Sequence, residues 1–211
     1  MILDFVRRRI EPVMITQLLK NGVPVGNFHF EKEYSGEIIQ ADICMGENYA
    51  RMDSNCDEGI YFLDGDAKKI GSIDAKIQEF EGKHFFGLIK NNWSYEEFVL
   101  QGHTYRVLEI GLGKANKTYY QFEEDEKTVG IIQKISKVEN HYHKYKILTE
   151  TENMVFPLLV FASYLEATKY YPYIIAGEGN TCNTKTVTSP KFVRKLLDYE
   201  YVLKIQALEE K

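Results

Sequence analysis

His141-Tyr-His143 puts two imidazoles on one face of a strand, the spacing at which a sheet can offer two nitrogen ligands to a transition metal. A zinc site needs a third ligand. Only His29, His84 and His103 remain, in unrelated strand runs, so no metal is expected. Asp53-Ser-Asn55-Cys-Asp57, with Asp64 eleven positions after Asp53, imitates part of a calcium loop. Such a loop needs Gly at its sixth position and a bidentate Glu at its twelfth. Glu58 and Asp64 stand there instead, and strand runs follow, so the stretch reads as a polar turn. Gly111-Leu-Gly113-Lys114 with Lys117-Thr118 has the residue types of a phosphate loop. Leu108 occupies the place of the first P-loop Gly, and Asn116 that of the third Gly in a dinucleotide fingerprint. A hairpin loop is the better reading. No serine sits in a Gly-x-Ser-x-Gly elbow, and Cys44, Cys56 and Cys182 form no C-x-x-C pair. The sequence therefore assigns no catalytic residue, no metal and no cofactor.

The residues that remain for binding are cationic. Lys185, Lys191, Arg194 and Lys195 lie in a stretch, Gly179 to Leu197, that contains no acid. Lys134, Lys137, Lys144 and Lys146 form a second basic run, relieved by Glu139. Against these, Glu31 to Asp66 carries ten acids and only Lys32 and Arg51. Such a dipolar surface can attract an anionic partner on one side, or simply be solvated. Arg7-Arg8-Arg9 is read either as a phosphate or acidic-partner contact or as a frayed end. The formal net charge of −5 excludes nucleic acid as the partner, although 28 aromatic residues are present. So many aromatics are better used to fill a barrel wall.

A chain of 211 residues, 44% apolar and 27% charged, is long enough for one self-sufficient core. No Pro-rich or Gly/Ser-rich linker divides it, so one domain is expected, with a barrel and its central helix over 12–170 and an extension over 171–211. Met1 to Arg9 runs apolar then basic, the reverse of a signal peptide, and cytoplasmic residence is expected. Val155 to Leu165 is about half a membrane span, which predicts a buried element and not an anchor.

Period-2 apolar runs broken by turn residues dominate the first 150 positions, the signature of an antiparallel meander. Val13, Ile15 and Leu19 lead through Asn21-Gly22 into Val23, Val25, Phe28 and Phe30. Asn-Gly between apolar runs marks a type I′ hairpin, because both central residues need positive φ. Further runs are predicted at 39–45, 60–63, 73–77, 85–89, 98–100, 105–110, 120–122, 129–131 and 145–147, eleven in all. From Met154 to Tyr170 the apolar residues occupy nearly every side of a helix, with Asn153 as its N-cap. A helix apolar all round must be enclosed by protein, and after so many strands the inside of a closed sheet is its natural place. Ser189-Pro190 then opens a second helix with the stripe Phe192, Leu196, Tyr199 and Leu203. The fold class is mainly β: an eleven- or twelve-stranded antiparallel barrel around a buried helix, plus a C-terminal amphipathic helix.

This pattern resembles the tubby-like superfamily, which includes tubby C-terminal domains, phospholipid scramblases and LURP-one-related proteins. The likeness centres on residues 60 to 168: Asp64-Gly65 … Ile70-Gly71-Ser72-Ile73, then Val129-Gly130-Ile131-Ile132-Gln133-Lys134, Tyr145-Lys146-Ile147 and the helix Leu158 to Leu165. About 40 residues follow that helix here, whereas in tubby and LURP-one-related proteins it lies near the chain end. The lysine and arginine with which true tubby domains hold phosphoinositides have no counterpart. The resemblance implies a bacterial single-domain binding or regulatory module without enzymatic activity. Its expected partner is a protein or an anionic phospholipid surface, met through Lys185, Lys191, Arg194 and Lys195 or through Arg7, Arg8 and Arg9. Such a protein would be cytoplasmic, or peripheral at the membrane. Two alternatives stand beside it: a hydrolase or transferase with a site at the barrel mouth, and a structural protein whose last helix docks on a second copy.

Overall fold

A computed structural model of the chain describes residues 1–10, 13–32, 39–55, 59–84, 87–113, 117–139, 142–169 and 187–209. At 7–10, 13–15, 30–32, 39, 55, 80–84, 87–92, 135–139, 142–143 and 209 it describes the backbone alone. Hairpin chemistry sets the architecture. Asn21 and Gly22 take φ of 52° and 78° and join β2 (Val13–Lys20) to β3 (Val23–Lys32), as the type I′ signal requires. Gln101-Gly102 and Asp125-Glu126 make two further turns with positive φ at both positions.

The strands continue as β4 (Ile39–Met45), β5 (Asn48–Asn55), β6 (Gly59–Leu63), β7 (Lys69–His84) and β8 (Gly87–Leu100). After them come β9 (His103–Gly111), β10 (Lys117–Glu124), β11 (Lys127–Glu139) and β12 (Tyr142–Thr149). Each pairs antiparallel with its neighbour in sequence. A first strand, β1 (Ile2–Ile10), pairs with both β2 and β12 and closes a twelve-stranded barrel.

Three expectations change. Residues 2–10, before the predicted start at 12, are part of the wall, and Arg7, Arg8 and Arg9 stand opposite Thr16, Ile15 and Met14 in β1 and not at a frayed end. Residues 87–89 of the run predicted at 85–89 and the run at 98–100 belong to one long strand, β8, whose partner β7 runs beside it from Gly71↔Leu100 to His84↔Gly87; Phe85 and Phe86 lie outside the described residues. Asp53, Ser54 and Asn55 lie in β5 and not in a turn; Cys56, Asp57 and Glu58 lie outside the described residues.

A barrel of eight strands is just filled by its own side chains, so twelve strands leave a wider interior to be occupied. A turn of 3₁₀ helix (Glu152–Met154), the helix α1 (Val155–Tyr164) and a π-helical turn (Leu165–Lys169) fill it. Every residue of α1 is buried. Pro157 is its third residue, where the missing N–H costs no helical hydrogen bond. Thr151, and not Asn153, precedes the first turn, and no side chain caps it. Phe161 sits at the centre of the core, its ring 5.0 Å from Phe122, 5.5 Å from Phe98 and 6.0 Å from Tyr120. Two wall glycines make room for the helix: a Cβ on Gly130 would stand 2.8 Å from Leu158 Cδ1, and one on Gly26 3.0 Å from Leu159 Cδ2. Among the described residues no helix is long and apolar enough to cross a membrane.

Outside the wall the C-terminal segment forms a cap of two short helices, α2 (Lys191–Arg194) and α3 (Tyr199–Glu209). It packs Val193, Leu197, Tyr201, Val202 and Ile205 onto the outward residues Leu108, Ile110, Tyr119, Ile131 and Leu148 of β9 to β12. The predicted stripe is therefore corrected. The helix breaks between Arg194 and Tyr199, the second half turns out of phase, and Tyr199 and Leu203 are 49% and 63% exposed. The cap's buried face lies on its own barrel.

Candidate functional site

The cap is held where the wall offers it an edge. β8 pairs with β9 from Leu100↔His103 as far as Glu96↔Val107. Beyond that point β9 receives residues 187–189 in its place: Gly113 N–H donates to Val187 O at 3.1 Å, Ser189 N–H donates to Gly111 O at 3.0 Å, and Leu112 bridges Thr188. Gly111 N–H donates in turn to the buried Ser189 Oγ at 2.9 Å. A Cβ on Gly111 would meet Val187 O at 2.2 Å. The glycines of Gly111-Leu-Gly113 thus serve close backbone approach. That resolves the phosphate-loop pattern on the described residues; Lys114 lies outside them.

Docking this segment brings the predicted cations together. Lys191, Arg194 and Lys195 line one hollow of about 460 Å³ with Leu112 and the exposed Tyr199. All three are exposed, and none has an ion-pair partner among the described residues. By contrast Lys204 is bound to Glu150 at 2.8 Å and Lys20 to Glu152 at 3.1 Å. The hollow lies towards the same end of the barrel as Arg7, Arg8 and Arg9, since β1 and β9 run in the same direction from the helix N-terminus. Lys185 lies outside the described residues.

The other sequence candidates scatter. His141 lies outside the described residues, and His143 and His84 stand in β12 and β7. His29 is on β3 and His103 opens β9. No group of three or more metal-ligating side chains occurs among the described residues.

Two polar arrangements escaped the sequence reading. Inside the barrel, at the far end of α1, Tyr164 OH donates to Glu96 Oε1 at 3.1 Å, while Glu109 accepts from Tyr120 OH at 2.8 Å and from Lys169 Nζ at 2.7 Å. Burial raises the Glu96 pKa above the carboxylate's ordinary value, Lys169 lowers it, and the charge of Glu109 raises it again. Burial and Glu96 push the Tyr164 phenol up as well. The buried Tyr145 OH donates to Glu166, also buried. The period-2 register carried this signal, since Glu96 and Glu109 stand two positions from the inward Phe98 and Val107.

The second arrangement is at the mouth. His103 Nδ1 lies 2.9 Å from Glu124 Oε1, and its ring stacks on Tyr105 with centroids 6.1 Å apart. Burial first, then the charge of Glu124, pushes the Tyr105 phenol up to about 12. Comparison of the chain with family models, curated proteins and solved structures returns no match.

Proposed function

We propose that the chain is a non-enzymatic binding module of tubby-like type that meets an anionic phospholipid surface through the basic face of its cap. The observation that carries this reading is the convergence of Lys191, Arg194 and Lys195 on one hollow beside the exposed Tyr199, with no acidic partner among the described residues. Unpaired cations flanked by the exposed ring of Tyr199 fit a headgroup layer, where each Lys or Arg contributes about 1 kcal/mol. The filled interior supports a surface role, because α1 occupies the inside of the barrel and a partner would be met outside it.

Co-sedimentation with phosphatidylcholine vesicles, with and without phosphatidylserine, at low and moderate salt, tests the reading. Binding only to the anionic vesicles, weakened by salt and by joint replacement of Lys191, Arg194 and Lys195 with Gln, is the expected result. Absence of binding at every salt concentration overturns the lipid partner and leaves an acidic protein surface to be sought by pull-down.

A further inference from the structure

The end of the barrel where α1 begins holds a second hollow, far from the basic face. The turns at Gln101-Gly102 and Asp125-Glu126, the chain entering α1 and Tyr201 from the cap enclose about 470 Å³. That volume is within the range of small-molecule sites. Its floor is apolar: Leu100, Val129, Met154 and Pro157, the upper layer of the core. One side is a ladder of flat rings, with His103 over Tyr105 at an interplanar angle of 12°. The His103 side chain is 60% exposed and its ring lies nearly parallel to that of Tyr105 with centroids 6.1 Å apart, which leaves imidazole surface open to a further planar group.

Both carboxylates in the hollow have hydrogen-bond partners. Glu124 accepts from His103, and Glu150 is bound by Lys204 Nζ through both oxygens at 2.8 and 2.9 Å. Lys127 also lines the hollow and has no ion-pair partner among the described residues. The side chains of Thr128 and Asn153, likewise in its lining, make no hydrogen bond among the described residues and stay available to an acceptor.

We infer that this cavity at the barrel mouth binds a small planar aromatic carboxylate, its ring stacked on His103 above the apolar floor and its carboxylate met by Lys127. The inference is independent of the lipid reading, since it uses none of the three cap cations. Apolar area and stacking hold the ring, and the unpaired ammonium distinguishes an acid from its neutral analogue.

Saturation-transfer NMR and titration calorimetry on the full chain, with benzoate and indole-3-acetate as probes and benzyl alcohol and indole as neutral counterparts, test it. The acids are expected to bind at least ten-fold more tightly than the neutral rings. Lys127→Ala should erase that preference, and His103→Ala should weaken both acids. Both positions are exposed, and unchanged melting curves would establish that the variants fold. The joint Gln replacement of Lys191, Arg194 and Lys195 should leave acid binding unaltered. Equal affinity for acid and neutral ring, indifference to Lys127→Ala, loss of acid binding in the cap variant, or no binding at all would each overturn the assignment.

Discussion

Gln121, buried on the outer face of β10, accepts a hydrogen bond from the Asp198 backbone N–H at 2.8 Å. The same side chain donates through Nε2 to Leu196 O at 3.0 Å. One amide from the barrel wall thus satisfies a donor and an acceptor at the break between α2 and α3, where the backbone has left its helical ladder. Asp198 completes the joint, its Oδ1 accepting from Tyr201 N–H at 2.8 Å as the cap of α3.

Gln121→Ala leaves both backbone groups without their partner in a partly buried joint. The expected cost is about 2 kcal/mol, read as a lower denaturant midpoint. Hydrogen exchange should rise at residues 196–205 while β10 stays protected. Uniform loss of protection through the barrel would contradict the joint as a local clasp.

Gly111→Ala puts a methyl group where Val187 O now stands, at 2.2 Å. The 187–189 segment should detach, at a cost of about 2 kcal/mol. Exposure of Leu108, Ile110 and Ile131 should then increase binding of a hydrophobic dye. Limited proteolysis should release the cap from an intact barrel; an unchanged digestion pattern would count against this docking.

Leu159, on the fully buried α1, has no route to solvent. Leu159→Asp should cost on the order of 4 kcal/mol, enough to unfold a domain of ordinary stability. Far-ultraviolet circular dichroism should show loss of the folded signal, and a normal melt would exclude the helix from the interior.

Glu96 carries a pKa raised above its ordinary 4.5, mainly by burial. The native state therefore holds a proton that the unfolded chain releases first, so stability falls as pH rises from 4.5 through the raised native value. Glu96→Gln keeps an acceptor for Tyr164 OH and removes the titration. Its stability should be flatter than the parent's over that window, and urea melts at half-unit pH steps would show it. Identical pH profiles would contradict the burial of an ionising Glu96.

What the sequence disclosed tracks how local each cause is. Asn21-Gly22 forms its turn because two adjacent residues must take positive φ, and α1 is buried because Val155 to Leu165 offers no polar face. β5 was hidden because its inward residues are Ala50 and Met52, neither a strong strand former. β1 was hidden because Arg7-Arg8-Arg9 interrupts its alternation, and its reason for being a strand is Leu148, far along the chain. The stripe from Phe192 to Leu203 assumed an unbroken helix, and the break that Gln121 clasps depends on a side chain of β10. At the mouth, His103 meets Glu124 because two hairpins are neighbours, a relation that spacing alone does not reveal.

The seam between β1 and β12 also governs the order of assembly. Ile2 pairs with Leu148 and Phe5 with Tyr145, whereas nearly every other wall contact joins strands adjacent in sequence. Hairpins from β2 to β11 can form as the chain lengthens, but the ring cannot shut until β12 exists. Loop-closure entropy makes such a long-range step slow. Until it occurs, both seam edges offer free backbone groups to other chains. The interval before closure is therefore when this protein is most exposed to aggregation, and dilution or a chaperone that shields strand edges should raise its refolding yield.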